Sequence, residues 1–176
     1  GRHDEALPLM KRALAISETA LGPDHPTTAV RLSNLASTFS ALGRHGEALP
    51  LMKRALAISE TALGPDHPDT AVRLSNLASI LSALGRHDEA MQLEERALAI
   101  TETALGPDHP TTAIRLNNLA STFSELGRHE EALPLAERAL AITEAALGLD
   151  HPTTAVYLVN LTAIRTSLEG PGKDEP

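Results

Sequence analysis

Apolar residues recur along this chain at steps of three and four. One stretch carries them at Ala71, Leu74, Leu77, Ala78, Leu81 and Leu84, another at Ala48, Leu51, Met52, Ala55, Leu56, Ala62 and Leu63. That spacing lines one face of an α-helix. The first kind of stretch is called helix A and the second helix B. Gly85 follows helix A where a left-handed cap favours a residue without a side chain, and Arg86-His87-Asp88 leads into the next periodic run. Gly64-Pro65 ends helix B. Pro68 then stands where a first-turn proline is tolerated, with Asp66 near the positive end of the helix dipole. Pro8, Pro50 and Pro134 fall early inside helix B, where they predict a mild bend.

The pattern is periodic on a larger scale. Gly-Arg-His begins at Gly1, Gly43, Gly85 and Gly127, and Asp-His-Pro at Asp24, Asp66, Asp108 and Asp150, a period of 42 residues. The stretches 1–42 and 43–84 differ at four positions only: Asp4/Gly46, Thr27/Asp69, Thr38/Ile80 and Phe39/Leu81. One structural unit is therefore used repeatedly. Helices alternating B, A, B, A are expected near 3–21, 26–42, 45–63, 68–84, 87–105, 110–126, 129–147 and 152–168. Connections this short require antiparallel neighbours, and identical units stacked at a constant offset wind into a solenoid with one concave surface.

Composition sharpens this. With no Trp, one Tyr and two Phe, the core must be built from Leu, Ala, Ile and Val, which suits closely packed helices. A net charge of -8 opposes phosphate backbones and acidic lipids, so neither nucleic acid nor membrane is expected as a partner. No apolar run is long enough to span a bilayer, and the amino terminus has no signal-like segment. The absence of Cys removes disulfides and thiolate chemistry and fits a cytoplasmic protein.

The side chains that suggest chemistry have plainer readings. All eight His occupy two repeat positions, His3, His45, His87, His129 and His25, His67, His109, His151. Copies one repeat apart are too distant to share a metal, so structural or surface roles are expected. Glu47, Glu89 and Glu131, with Asp88 and Glu130, fall in the first turn of helix B and favour its dipole. No catalytic grouping or phosphate-cradling loop appears, so neither enzymatic activity nor a cofactor or metal is expected.

Asn118-Leu119-Ala120, Phe123, Leu126-Gly127, Glu131-Ala132, Ala139-Leu140, Leu147-Gly148 and Asp150-His151-Pro152 together resemble the tetratricopeptide repeat, in the 42-residue form typical of kinesin light chain and of many bacterial signalling proteins. The resemblance extends over residues 1–168. It implies an all-α, right-handed superhelical solenoid of antiparallel helix pairs, with helix A lining a concave groove for extended peptides and helix B forming the outer wall. By position, the resemblance implies that the groove is faced by Val30, Ser33, Asn34, Ser37 and Ser40, then Val72, Ser75, Asn76, Ser79 and Ser82, then Ile114, Asn117, Asn118, Ser121 and Ser124, with Arg31, Arg73 and Arg115 at its margin. The Lys and Arg by which chaperone adaptors of this family grip a terminal carboxylate are absent: Ser33/Ser37, Ser75/Ser79 and Asn117/Ser121 stand there instead. Val30, Val72 and Ile114 likewise replace the basic residues that kinesin light chain uses for acidic cargo. The Asn column has two readings: its amides pair with the backbone of an extended peptide, or they tie neighbouring helices together.

The ends depart from the pattern. Arg165 and Thr162 replace the apolar Phe39, Leu81, Phe123 and Ala36, Ala78, Ala120, so 152–168 is expected to be a capping helix followed by a disordered tail, 169–176. Helix 3–21 lacks a helix A before it, leaving Ala6, Leu9, Ala13 and Ile16 partly uncovered. The chain opens inside a repeat, so it reads as a piece of a larger protein, and that face would dock on a further repeat or form a homo-oligomer. The sequence thus predicts a module that binds a protein or peptide in its groove. The alternative is a structural or regulatory self-assembling array within a signalling protein, with no free peptide ligand.

Overall fold

The computed structural model describes residues 2–169, in eight α-helices: α1 (Arg2–Leu21), α2 (Pro26–Ala41), α3 (His45–Ala62), α4 (Pro68–Ala83), α5 (His87–Leu105), α6 (Pro110–Glu125), α7 (His129–Leu147) and α8 (Pro152–Glu169). Every boundary lies within one residue of the expectation, and no strand occurs among the described residues. Residues 170–176 of the expected tail lie outside the described residues. α3 and α7 run unbroken through Pro50 and Pro134.

The boundaries are sharp because each turn satisfies the backbone groups that a helix end leaves open. At the end of α4, Gly85 adopts φ 74, a left-handed conformation that a Cβ disfavours. Its N–H donates to Ser82 O at 2.8 Å and that of Arg86 to Leu81 O at 2.9 Å, the paired bonds of a Schellman cap. At the start of the A helices the sequence concealed a device. His25, His67, His109 and His151 are the N-cap side chains: each Nδ1 accepts the N–H two residues on, at 3.1 Å, ahead of a proline at the first helical position. Thr28, Thr70, Thr112 and Thr154 then donate to the carbonyls of Gly22, Gly64, Gly106 and Gly148 at 2.8–2.9 Å, pinning the loop that precedes each A helix.

Entry into helix B uses the Gly-Arg-His motif. Arg44 makes two hydrogen bonds to the Glu47 carboxylate, at 2.6 and 2.9 Å, while its guanidinium lies 4.6 Å from the Phe39 ring centre. Arg86 and Glu89 pair in the same way, as do Arg128 and Glu131, and Arg128 also stacks on Phe123. These hydrogen bonds hold the three Glu carboxyls below the ordinary range, so the first-turn acids serve the arginine fork as well as the dipole.

The helices form two compact units, one reaching Ile100 and one starting at Thr101. In the first, α1 packs on α2, α2 on α3, α3 on α4, and α2 touches α4. Its core holds Leu32, Leu35, Phe39, Met52, Ile58, Leu77, Ile80 and Leu81, with a smaller cluster of Ala71, Leu74, Ala97 and Ile100. In the second, α6 packs on α7, α7 on α8, and α6 touches α8. Leu116, Leu119, Phe123, Leu140, Tyr157, Leu161 and Ile164 are buried there. Alanines at the closest helix contacts, such as Ala48, Ala55, Ala113 and Ala132, are wholly covered, which lets the helix axes approach and compensates for the lack of aromatic bulk.

Candidate functional site

The exposed stripe of α2 runs Val30, Asn34, Ser37, Ala41, at steps of four, three and four. Ser33 is not on it. It shares a stripe with Ala29 and Ala36, is buried, and its hydroxyl points to the Met52 sulfur at 3.7 Å. Ser75 is buried in the same register between Ala71 and Ala78, and its hydroxyl donates to both carboxylate oxygens of the buried Glu94 at 2.9 Å. Both serines were expected to face the groove. Position on the helix instead turns them towards the following B helix.

The arginine column also differs from expectation. Arg31 is exposed, but Arg73 and Arg115 are buried and do not stand at a groove margin. Arg73 stands four residues before Leu77 and seven before Ile80, on the face that enters the core; its Nη1 donates to Asp69 O at 2.9 Å, and burial pushes its pKa down. In α8 the same column holds Tyr157, which is buried and raised in pKa by desolvation, against the opposing influence of Arg115.

Other residues do converge. In the first unit, Ser37, Ser40 and Ala41 of α2 and Asn76, Ser79 and Ile80 of α4 line an open cleft of about 220 Å³. Ser37 and Ser79 are exposed and Asn76 is half-buried. Ser40 Oγ is 3.2 Å from His45 Nδ1, which orients the hydroxyl. The second unit repeats this arrangement two periods on: Ser121, Ser124 and Glu125 of α6 and Asn160, Ala163 and Ile164 of α8 line a cleft of about 340 Å³. Ser124 there meets His129 Nδ1 at 3.3 Å. Asn160 Nδ2 donates to Asn117 Oδ1 at 3.0 Å, so Asn117 supports an asparagine of the cleft. Ser121 donates to Asn117 O at 3.0 Å.

Asn34 is exposed one turn before Ser37, and Asn118 is half-buried one turn before Ser121. Asn160 was missing from the expected site although it is the fourth member of the column Asn34, Asn76, Asn118; the 42-residue period alone would have located it. Val30, Val72 and Ile114 are exposed apolar residues on the same helices. The first cleft contains hydroxyls and an amide and no charged group, and the second adds one carboxylate, Glu125. Among the described residues there is no group of His, Cys, Asp or Glu that could hold a metal, and no helix is long and apolar enough to cross a membrane.

The tetratricopeptide repeat family model matches residues 1–61, 32–103, 95–145 and 116–171. Among curated proteins none matches the chain. Among solved structures, it is similar to the nearly identical TPR-like repeats of a putative kinesin light chain from Podosopora anserina, at 28% identity and TM-score 0.82, covering 96% of this chain and 80% of that one. A substituted form of that same protein gives TM-score 0.83 at the same identity and coverage. It is also similar to BtubC (BKLC) from P. vanneervenii, at 25% identity and TM-score 0.84, covering 96% of this chain and 67% of that chain.

Proposed function

Because the chain belongs to the tetratricopeptide repeat family, whose repeats generally mediate protein–protein interaction, we propose that it binds an extended polypeptide segment along the polar clefts between successive A helices. The observation that carries this reading is the recurrence of one constellation in both units: Ser37, Ser40 and Asn76, and again Ser121, Ser124 and Asn160. An Asn amide supplies both donors and an acceptor, and a hydroxyl rotates to serve as either, so such a cleft can pair with backbone N–H and C=O groups in alternation. Neither cleft has a cation that would select an acidic motif or a free carboxylate. Recognition then rests on backbone geometry and shape. Glu125 in the second cleft favours a basic or neutral residue of the ligand at that point. The reading requires no reaction or cofactor, and a cytoplasmic setting fits a chain without cysteine.

Affinity capture from a cell lysate tests it. Wild-type chain is compared with an Asn76→Arg/Asn160→Arg variant whose helical circular dichroism and melting are unchanged. The expected result is that a protein held by the wild type is lost from the variant, because two long cations fill the clefts. Equal retention of the same protein would place binding elsewhere.

A further inference from the structure

On the premise that a polypeptide lies in the clefts, we infer that the bound segment is a polyproline II stretch with an aliphatic side chain at every third residue, read by a column of β-branched side chains beside the asparagines. The exposed stripe of α2 recurs in the same register on α4, α6 and α8, and its first position holds Val30, Val72, Ile114 and Val156. Four residues further along each helix stands an asparagine, Asn34, Asn76, Asn118 or Asn160, so the two positions are neighbours on one side of the helix. Helices two apart in an antiparallel chain run parallel. Within each unit, therefore, the aliphatic position of one A helix stands beside that of the next, and asparagine beside asparagine.

The apolar column is open to solvent in the interior of the chain and not only near its ends: Val72 is 40% exposed and Ile114 45%. All four of its members are β-branched, the aliphatic class that a helix favours least, so helix formation does not account for them. Beside the column, the side-chain amides of Asn34 and Asn76 have no hydrogen-bond partner among the described residues. The stripes of α2 and α4 carry no charged side chain. An apolar column flanked by free amides suits a ligand that offers an uncharged aliphatic side chain and open backbone groups together.

The spacing of the helices selects the conformation of the ligand. α2 touches α4, and α6 touches α8; the axes of packed helices lie roughly 8–10 Å apart. A polyproline II segment advances about 9 Å in one turn of three residues, so every third side chain returns to the same side one helix further on. A β-strand returns a side chain to one face every two residues, about 7 Å, and falls out of step with the helices. Polyproline II also leaves its backbone N–H and C=O groups without internal partners, free to meet Asn34 and Asn76. Each unit contains one touching pair of A helices, so each reads one pair of aliphatic residues separated by two residues of any kind.

Random peptides displayed on phage test the register. They are selected on the full chain, and the most enriched is synthesised and its affinity measured by fluorescence anisotropy. The selected peptides are expected to share two aliphatic residues three positions apart. Inserting one residue between those two should weaken binding roughly tenfold, and so should Val72→Ser/Ile114→Ser, which removes one member of the column from each unit in a fold whose helical circular dichroism is unchanged. Asn76→Arg/Asn160→Arg should abolish binding. Peptides that this arginine variant releases, but that lack the spacing or tolerate the insertion or the serine variant, overturn the register and leave the clefts as the binding site. Peptides that the arginine variant retains, or a selection that enriches none, overturn the register and the occupancy of the clefts alike.

Discussion

Leu74→Ala is expected to destabilise the first unit by about 3 kcal/mol, lowering the midpoint of thermal unfolding by roughly 6–12 °C. Leu74 is wholly buried in the small cluster with Ala71, Ala97 and Ile100. Ala71 and Ala97 carry only methyl groups that cannot swing into the space, and Leu56 and Leu93, packed against the cluster, fill it only in part, so much of the void persists. Leu74→Met, which nearly conserves volume, should cost less than about 1.5 kcal/mol. Circular dichroism during heating and urea titration measures both. Equal losses for Ala and Met would show that shape at this site, and not filled volume, sets stability.

Ala97→Leu should be destabilising as well, by about 1–3 kcal/mol, although it adds apolar surface. Ala97 is completely covered, and its counterparts Ala55 and Ala139 are too, so the B helix sits as close to its neighbours as a methyl group permits. A leucine there must push the helix away or leave its preferred rotamer. Because both residues belong to one cluster, the Leu74→Ala/Ala97→Leu double variant is expected to lose less than the two single losses added together. A stabilising Ala97→Leu would mean that the alanine column is loosely packed, and the explanation of how this chain does without aromatics would fail.

How much of this was legible beforehand follows from what repetition exposes. Helix spans, caps and order could be read from Gly85, Pro68 and the three-and-four spacing, because each rests on local backbone chemistry that the 42-residue period displays four times. The same repetition concealed which side of helix A each polar residue takes. Ser33 and Ser75 differ from the exposed Asn34 and Ser79 by a single step or one turn, and a serine is polar whether it meets a ligand, Met52 or Glu94. Arg73 and Arg115 read as surface charges, yet they fall on the stripe that enters the core.

For the histidine of Asp-His-Pro the sequence implies a structural or surface role but no mechanism, since His is an unusual capping residue and only the folded chain reveals Nδ1 accepting a backbone N–H. Arg54, Arg96 and Arg138 pair with Glu18, Glu60 and Glu102, 36 positions before them, beyond the reach of any helical periodicity. The clefts required tertiary structure, because each is assembled from two A helices that are not consecutive in the chain.

The most direct test of the central claim is a ¹⁵N–¹H NMR titration of the chain with the segment of a captured partner, following the side-chain amide signals of Asn76 and Asn160 beside the backbone amides of the outer B helices. Binding in the clefts predicts saturable shifts of those two amides, with those of Ala57 and Ala141 on the B helices unchanged. Shifts confined to the B helices, with both asparagine amides unmoved at saturation, would contradict it.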